Sequence, residues 1–377
     1  MMRGQIAIGR IFGIRIGLHY SWFFIAALIT LSLAGHLYRT NAEWSAVLVW
    51  TAALVTALAF FAALLAHELA HAVVARARGV PVRSITLFAL GGMAHMERDA
   101  ADAPTEFWMG LAGPVISVGI GVAALGIAAL LGWRFDATPE TAGMVMLVWF
   151  GWINLVLAAF NMIPGFPLDG GRVLRAVIWW VTGNRLRATR IAAGLGRLVA
   201  FGFIAVGVWL FFRGAGFGGL WLAIIGLFLA ESSRAAAAEI EVAESLRGVR
   251  VRDVMATDCT AVQRGKPLSE VVEELLRTGR RCFFVVDNGR VAGLLTPQDI
   301  RAVERERWPA TPAGEAMRPI DRVHQIRADA PVTDALEMIG REDINQLPVL
   351  EEGRLQGVIS RDQIVRVLTA RSELTGM

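Results

Sequence analysis

Long apolar runs separated by short polar connections fill the chain up to about Arg234, and the pattern then changes. Runs near residues 18–37, 46–75, 105–131, 143–162 and 191–212 approach or exceed the ~20 apolar residues that a bilayer-spanning helix needs. A sixth, from 218 to 230 and a little beyond, is shorter. Two segments break the helical pattern. Residues 1–15 read as a short amphipathic or strand-like entry at the membrane surface. In residues 80–97, Val82, Ile85, Leu87 and Leu90 suggest short strands, with a turn at Gly91-Gly92. Residues 231–248, rich in Ala and Glu, predict a linking helix, and short strands alternate with amphipathic helices beyond it.

Composition supports a membrane protein. The 377 residues are 55% hydrophobic, with mean hydropathy +0.51. The net charge of +4 and pI near 9.8 come from Arg-rich connections, which does not suggest nucleic-acid binding. Arg3, Arg10 and Arg15, then Arg76, Arg78, Arg83 and Arg98, then Arg172, Arg175, Arg185, Arg187 and Arg190 fall on one side of a six-span topology. The opposite connections carry Arg39, Arg134 and Arg213. The positive-inside rule then puts both termini in the cytoplasm, in the inner cell membrane. No small-residue cleavage site ends the first run, so a cleavable signal peptide is not expected. Cys259 and Cys282 offer neither a metal spacing nor a disulfide framework and are expected to be free buried thiols.

Chemistry concentrates at two places. His67-Glu68-Leu69-Ala70-His71 ends the second run, and a continuing helix puts both imidazoles on one face, able to share a metal ion. Glu68 is then beside the site as a general base. Ionisable groups inside an apolar span are costly and point to function. The second place is Asn161-Met-Ile-Pro-Gly-Phe-Pro-Leu-Asp169-Gly-Gly-Arg172, where Pro164 and Pro167 stop a helix. Asp169 is expected on an irregular segment enclosed at membrane depth, as third ligand. Two His and one carboxylate leave a fourth position of one zinc ion open, as in catalytic sites. Asn161 is a candidate to bind an oxyanion or the substrate backbone; it also fits a helix-end cap. The strand edge at Gly91 and Gly92 is a candidate to pair with an unwound substrate peptide, or is a plain surface hairpin.

These motifs, HELAH at 67–71, GG at 91–92, AGP at 112–114 and NMIPGFPLDGG at 161–171, resemble the site-2 protease family of intramembrane zinc metalloproteases. The resemblance covers about residues 1–235. It implies His67, His71 and Asp169 as zinc ligands, Glu68 as the catalytic Glu and Asn161 as the family's Asn before its LDG motif. It implies peptide hydrolysis in or near transmembrane segments of lipid-embedded protein substrates, as in regulated intramembrane proteolysis.

The tail holds an internal repeat. Val254-Met255 matches Ala316-Met317, and residues 284–290 match 347–354. Residues 293–300 match 357–364. This resembles a pair of CBS domains, which implies adenine-nucleotide contacts at Thr296 and Asp299. Ser360 and Asp362 are the second-repeat candidates, with Asp362 one residue early. The resemblance also fits a homodimer through the pair, or a dimerisation module with no ligand.

The fold class expected is thus a polytopic α-helical membrane protein of about six transmembrane helices with one membrane-associated β-hairpin, plus a soluble α/β tandem CBS domain. Its boundaries are 1–235 for the membrane domain, 236–248 for the linking helix, and 249–310 and 311–377 for the repeats. A CBS-regulated transporter or channel would also combine polar intramembrane groups with such a tail, but leaves the His, His, Asp and Glu set unexplained.

Overall fold

The computed structural model describes residues 5–375 apart from positions 90, 97–98, 247, 258–260, 279–282, 288–289, 343 and 352–353. Cys259, Cys282, Arg3, Arg98, Leu90 and the repeat matches at 288–289 and 352–353 lie outside the described residues. Contacts divide the chain into two units, Met1–Ile240 and Glu241–Met377.

The first unit opens with strands β1 (Gln5–Ile11) and β2 (Ile14–His19). Helix α1 (Ser21–Thr40) and the long helix α2 (Ala46–Ala77) follow, the latter capped by Ser45, whose side chain accepts from the Leu48 amide. Strands β3 (Val82–Phe88) and β4 (Gly91–Met96) lead to α3 (Ala103–Leu130), capped by Asp102. Helices α4 (Ala142–Asn161), α5 (Asp169–Thr182), α6 (Arg185–Leu210) and α7 (Phe217–Ser245) complete the order. Among the described residues, six helices are long and apolar enough to cross a membrane: Ser21–Thr40, Ala46–Ala77, Ala103–Leu130, Ala142–Asn161, Arg185–Gly214 and Gly218–Ala238. This is a multi-pass membrane protein.

Three features differ from the sequence reading. The expected hairpin is half of a four-stranded sheet ordered β1-β2-β3-β4, because β2 pairs in parallel with β3 from Arg15↔Ser84 to Leu18↔Leu87. Buried Ile14, Ile16, Ile85 and Leu87 seal that sheet in one core cluster with Phe61 and Leu64 of α2. Gly91 and Gly92 are not the turn but the first residues of β4, paired with Phe88 and Leu87. Asp169 is not on irregular backbone: it is the first residue of α5, and the irregular segment is the one before it.

In that segment, 162–168, Gly165 and Leu168 are buried while Met162, Pro164 and Pro167 are exposed, and the chain is tied down at Phe166. The Phe166 amide donates to the Ala192 carbonyl of α6, and Ser233 Oγ of α7 donates to the Phe166 carbonyl at 2.6 Å. Gly165 lies so close to Gly196 of α6 that a Cβ there would come within 2.7 Å of the Gly196 nitrogen.

The second unit has a sheet ordered β5-β6-β7-β8, made of Ala261–Gln263, Phe283–Asp287, Arg290–Leu295 and Arg318–Pro319. A second sheet pairs β9 (Gln346–Glu351) with β10 (Arg354–Ser360). Helices α8 (Leu268–Thr278), α9 (Pro297–Arg301), α10 (Ala313–Ala316), α11 (Val332–Arg341) and α12 (Arg361–Thr375) pack around them. The two cores cross the boundary drawn between the repeats. Ala313 and Met317 join the core of Val262, Phe283 and Leu295, whereas Val249 and Val251 join that of Val332, Leu347 and Ile359. Each repeat lends its Met segment to the other: a Cβ on Gly293 would meet Met317, and one on Gly357 would meet Met255. The interval 236–248 is mostly the end of α7 rather than a separate helix.

Candidate metal centre

Apolar, Ala-rich sequence carries α2 without a break through residues 67–71, so His67 and His71 stack one turn apart with ring centroids 4.8 Å apart. Both are buried, at 2% and 5% exposure. The His71 Nδ1–H donates to the Met109 carbonyl of α3, and His67 Nδ1 lies 2.9 Å from Ser117 Oγ of the same helix. Each Nε2 therefore faces Asp169, whose Oδ2 is 3.1 Å from that of His67 and 3.2 Å from that of His71. The three ligand atoms lie within 4.8 Å of one another, the only such group among the described residues.

These residues fit a zinc ion. Two imidazole nitrogens and one carboxylate oxygen are a donor set of catalytic zinc sites. Space is left for an ion because residue 113 is glycine: a Cβ there would meet His71 Nε2 and stand 2.5 Å from His67 Nε2. Pro114 follows inside α3 and removes the donor that would cap the Gly110 carbonyl.

Glu68 is half-buried next to the first imidazole, under β4. A Cβ on Gly92 would lie 2.6 Å from Glu68 Cδ and 2.7 Å from its Oε1, so the strand backbone rests on that carboxylate. Gly92→Ala is expected to push the carboxylate aside. Cleavage should fall about 100-fold, the effect of an ~1 Å displacement of a reacting group, with zinc content unchanged. Single-turnover cleavage with parallel metal analysis checks it; unchanged cleavage would disconnect the strand from Glu68.

Asp169 is held by the helix it begins. Arg172 and Arg175, on the first turns of α5, both donate to Glu106 Oε1 of α3, Arg172 at 3.1 Å. Glu106 is 1% exposed, and Arg175 also stacks over the Phe166 ring, 5.0 Å from its centroid. Sequence reading missed this cluster. The available signal was an acid four residues inside an apolar helix together with two arginines one turn apart. Glu106→Gln is expected to leave two nearly buried guanidiniums without the carboxylate they share and to cost about 3–5 kcal/mol. A lowered thermal midpoint in detergent, with partial recovery in Glu106→Asp, is the measurement.

Asn161 ends α4 half-buried, and its side chain makes no hydrogen bond among the described residues. Two turns earlier Asn154 is fully buried: its Nδ2 donates to the Phe150 carbonyl, while its Oδ1 has no partner.

In the second unit, Thr296 and Asp299 cap α9 reciprocally. The Thr296 amide and hydroxyl both donate to Asp299 Oδ2, and Arg318 Nε donates to Asp299 Oδ1 at 2.7 Å. Ser360 repeats the pattern with Gln363, not Asp362: its amide and hydroxyl donate to Gln363 Oε1 at 2.8 and 3.0 Å. Asp362 is exposed. The spacing of three residues and the buried pair Ile300 and Ile364 set that register.

The model of Peptidase family M50 matches residues 55–140 and 135–205, and that of the CBS domain matches 251–306 and 313–370. The putative zinc metalloprotease Rip3 of Mycobacterium tuberculosis is 33% identical over 372 residues, covering 97% of this chain and 93% of the relative. The putative zinc metalloprotease sll0528 of Synechocystis is 30% identical over 371 residues, covering 97% and 96%. Among solved structures, the site-2 protease of Methanocaldococcus jannaschii is 29% identical, over 62% of this chain and 95% of that one, with a TM-score of 0.42.

Proposed function

This chain belongs to peptidase family M50, as a zinc-dependent intramembrane metalloprotease with a tandem CBS domain, and we propose that it cuts peptide bonds in or near transmembrane segments of membrane proteins. The observation that carries the reading is the convergence of His67 and His71, inside the apolar helix Ala46–Ala77, with Asp169 at the start of α5, beside Glu68. His67 and His71 through Nε2, and Asp169 through Oδ2, would hold the ion. Zinc, when bound, supplies Lewis acidity that polarises the scissile carbonyl and eases ionisation of water.

The other steps belong to the chain. A helical substrate hides its amides and carbonyls, so it must unwind before it can be cut. β4 is an edge strand of the sheet, and an unwound segment can add to it through main-chain hydrogen bonds near Gly91 and Gly92. Glu68 takes the proton of the attacking water and delivers it to the leaving amine. Asn161 offers its carboxamide to the substrate backbone or the developing oxyanion.

The Arg-rich connections support cytoplasmic termini in the cell membrane, with the metal centre toward the cytoplasmic side. Such cleavage would serve regulated intramembrane proteolysis. The CBS pair would regulate it through an adenine nucleotide at Thr296, Asp299 and Ser360, and would dimerise the protein. Asp362 is left out of that set because Gln363, bonded by Ser360, takes the position that Asp299 holds in the first repeat.

The test is a purified, reconstituted protein with a fluorescent transmembrane reporter in proteoliposomes. Products whose mass places the cut within the apolar segment, lost with a chelator and restored by zinc, are the expected result. Ion flux through the liposomes with an intact reporter would favour the transporter reading instead.

A further inference from the structure

Met109, Gly113 and Ser117 succeed one another at four-residue steps and so share one face of α3, the face against His67 and His71. Their contributions differ. The Met109 carbonyl can only accept, so His71 must carry its proton on Nδ1, which leaves Nε2 free to ligate. Gly113 opens the space between the two Nε2 atoms. Ser117 is fully buried, and its Oγ is 2.9 Å from His67 Nδ1. A hydroxyl can donate or accept, so this contact alone leaves the His67 tautomer open.

We propose that Ser117 is a positioning residue of the metal centre: its Oγ accepts from His67 Nδ1–H and so keeps the His67 Nε2 lone pair turned to the ion. The inference rests on the reading of His67 and His71 as zinc ligands. The opposite polarity would put the proton on Nε2, where it would point at Asp169 Oδ2, 3.1 Å away, and occupy the ligating position. Two different acceptors on one helix face thereby hold two imidazoles in the same tautomer, one through backbone and one through a side chain. Outer partners of this kind fix ring orientation and ligand basicity.

The zinc-free protein has a way around the loss of Ser117. With no ion bound, His67 can shift its proton to Nε2 and donate to Asp169 Oδ2. Ser117→Ala then orphans only an acceptor, Nδ1, in the unloaded fold, so the larger cost falls on metal binding. A packing role would give the reverse, a weakened fold with unchanged zinc affinity.

The experiment uses the full-length protein in detergent. Zinc affinity is read by competition with a chromophoric chelator, and the thermal midpoint by melting in excess chelator. Ser117→Ala is expected to lose about 10–100-fold in zinc affinity, the range of outer-shell substitutions, with a zinc-free midpoint that drops only slightly, as for one lost hydrogen bond. Ser117→Thr or Ser117→Asn, which keep an acceptor oxygen, should restore affinity in at least one case. Unchanged affinity in Ser117→Ala overturns the proposal. So does a loss shared by all three variants, or a fall in the zinc-free midpoint that accounts for the loss. Wild-type protein that binds no zinc would instead remove the metal reading on which the proposal stands.

Discussion

Replacing Glu68 with Gln is expected to stop reporter cleavage while zinc stays bound. The substitution keeps the length of the side chain and its place under Gly92, and it removes only the ability to take a proton. General acid–base groups contribute roughly 10²–10⁴-fold to rate, so cleavage should fall by that factor at least. The proposed ligands His67, His71 and Asp169 are untouched, because Glu68 is not among the atoms that converge there. One zinc per chain in both proteins, with products from the wild type alone, is the expected pair of results. A Glu68→Gln protein that still cuts would remove Glu68 from the mechanism. Loss of zinc together with cleavage would make Glu68 part of the metal cage.

The grouping of the candidate site was legible where the pattern is local. His67, Glu68 and His71 declare themselves because a helix turns ordinary spacing into a shared face. Asp169 was legible because prolines and glycines at membrane depth need a reason. Asp169 nevertheless begins a helix, since Pro167 and Leu168 end the irregular stretch and α5 continues with Arg172 and Arg175 tied to Glu106. That ion cluster joins residues 66 and 69 positions apart, and no local pattern announces such a pairing. The same distance hid the sheet. β2 and β3 pair in parallel across two intervening helices, so residues 80–97 read alone could give only a hairpin. In the tail, the repeat was visible as repeated sequence. The exchange of Met255 and Met317 between the two cores follows from backbone approach at Gly293 and Gly357, and an alignment does not record it.

Gly113 and Ser117 were illegible for another reason: small residues in an apolar helix ordinarily mean close packing. Gly113→Ala separates the two meanings, because helix physics and site geometry call for opposite signs. Alanine in a helix interior is better than glycine by roughly 0.5–1 kcal/mol, so the substitution should do α3 no intrinsic harm. Its Cβ, however, would stand where the two Nε2 atoms leave room for the ion. Zinc affinity is therefore expected to fall by more than about 100-fold, beyond what outer-shell changes produce, and cleavage should vanish with it. Gly126→Ala is the control. It lies on the same helix with nothing within 4 Å of the added Cβ, and it should keep both zinc and activity. Chelator competition on the two variants decides between the meanings. A Gly113→Ala protein with wild-type zinc affinity would show that α3 can draw back from the imidazoles, and that the metal centre does not depend on its close approach.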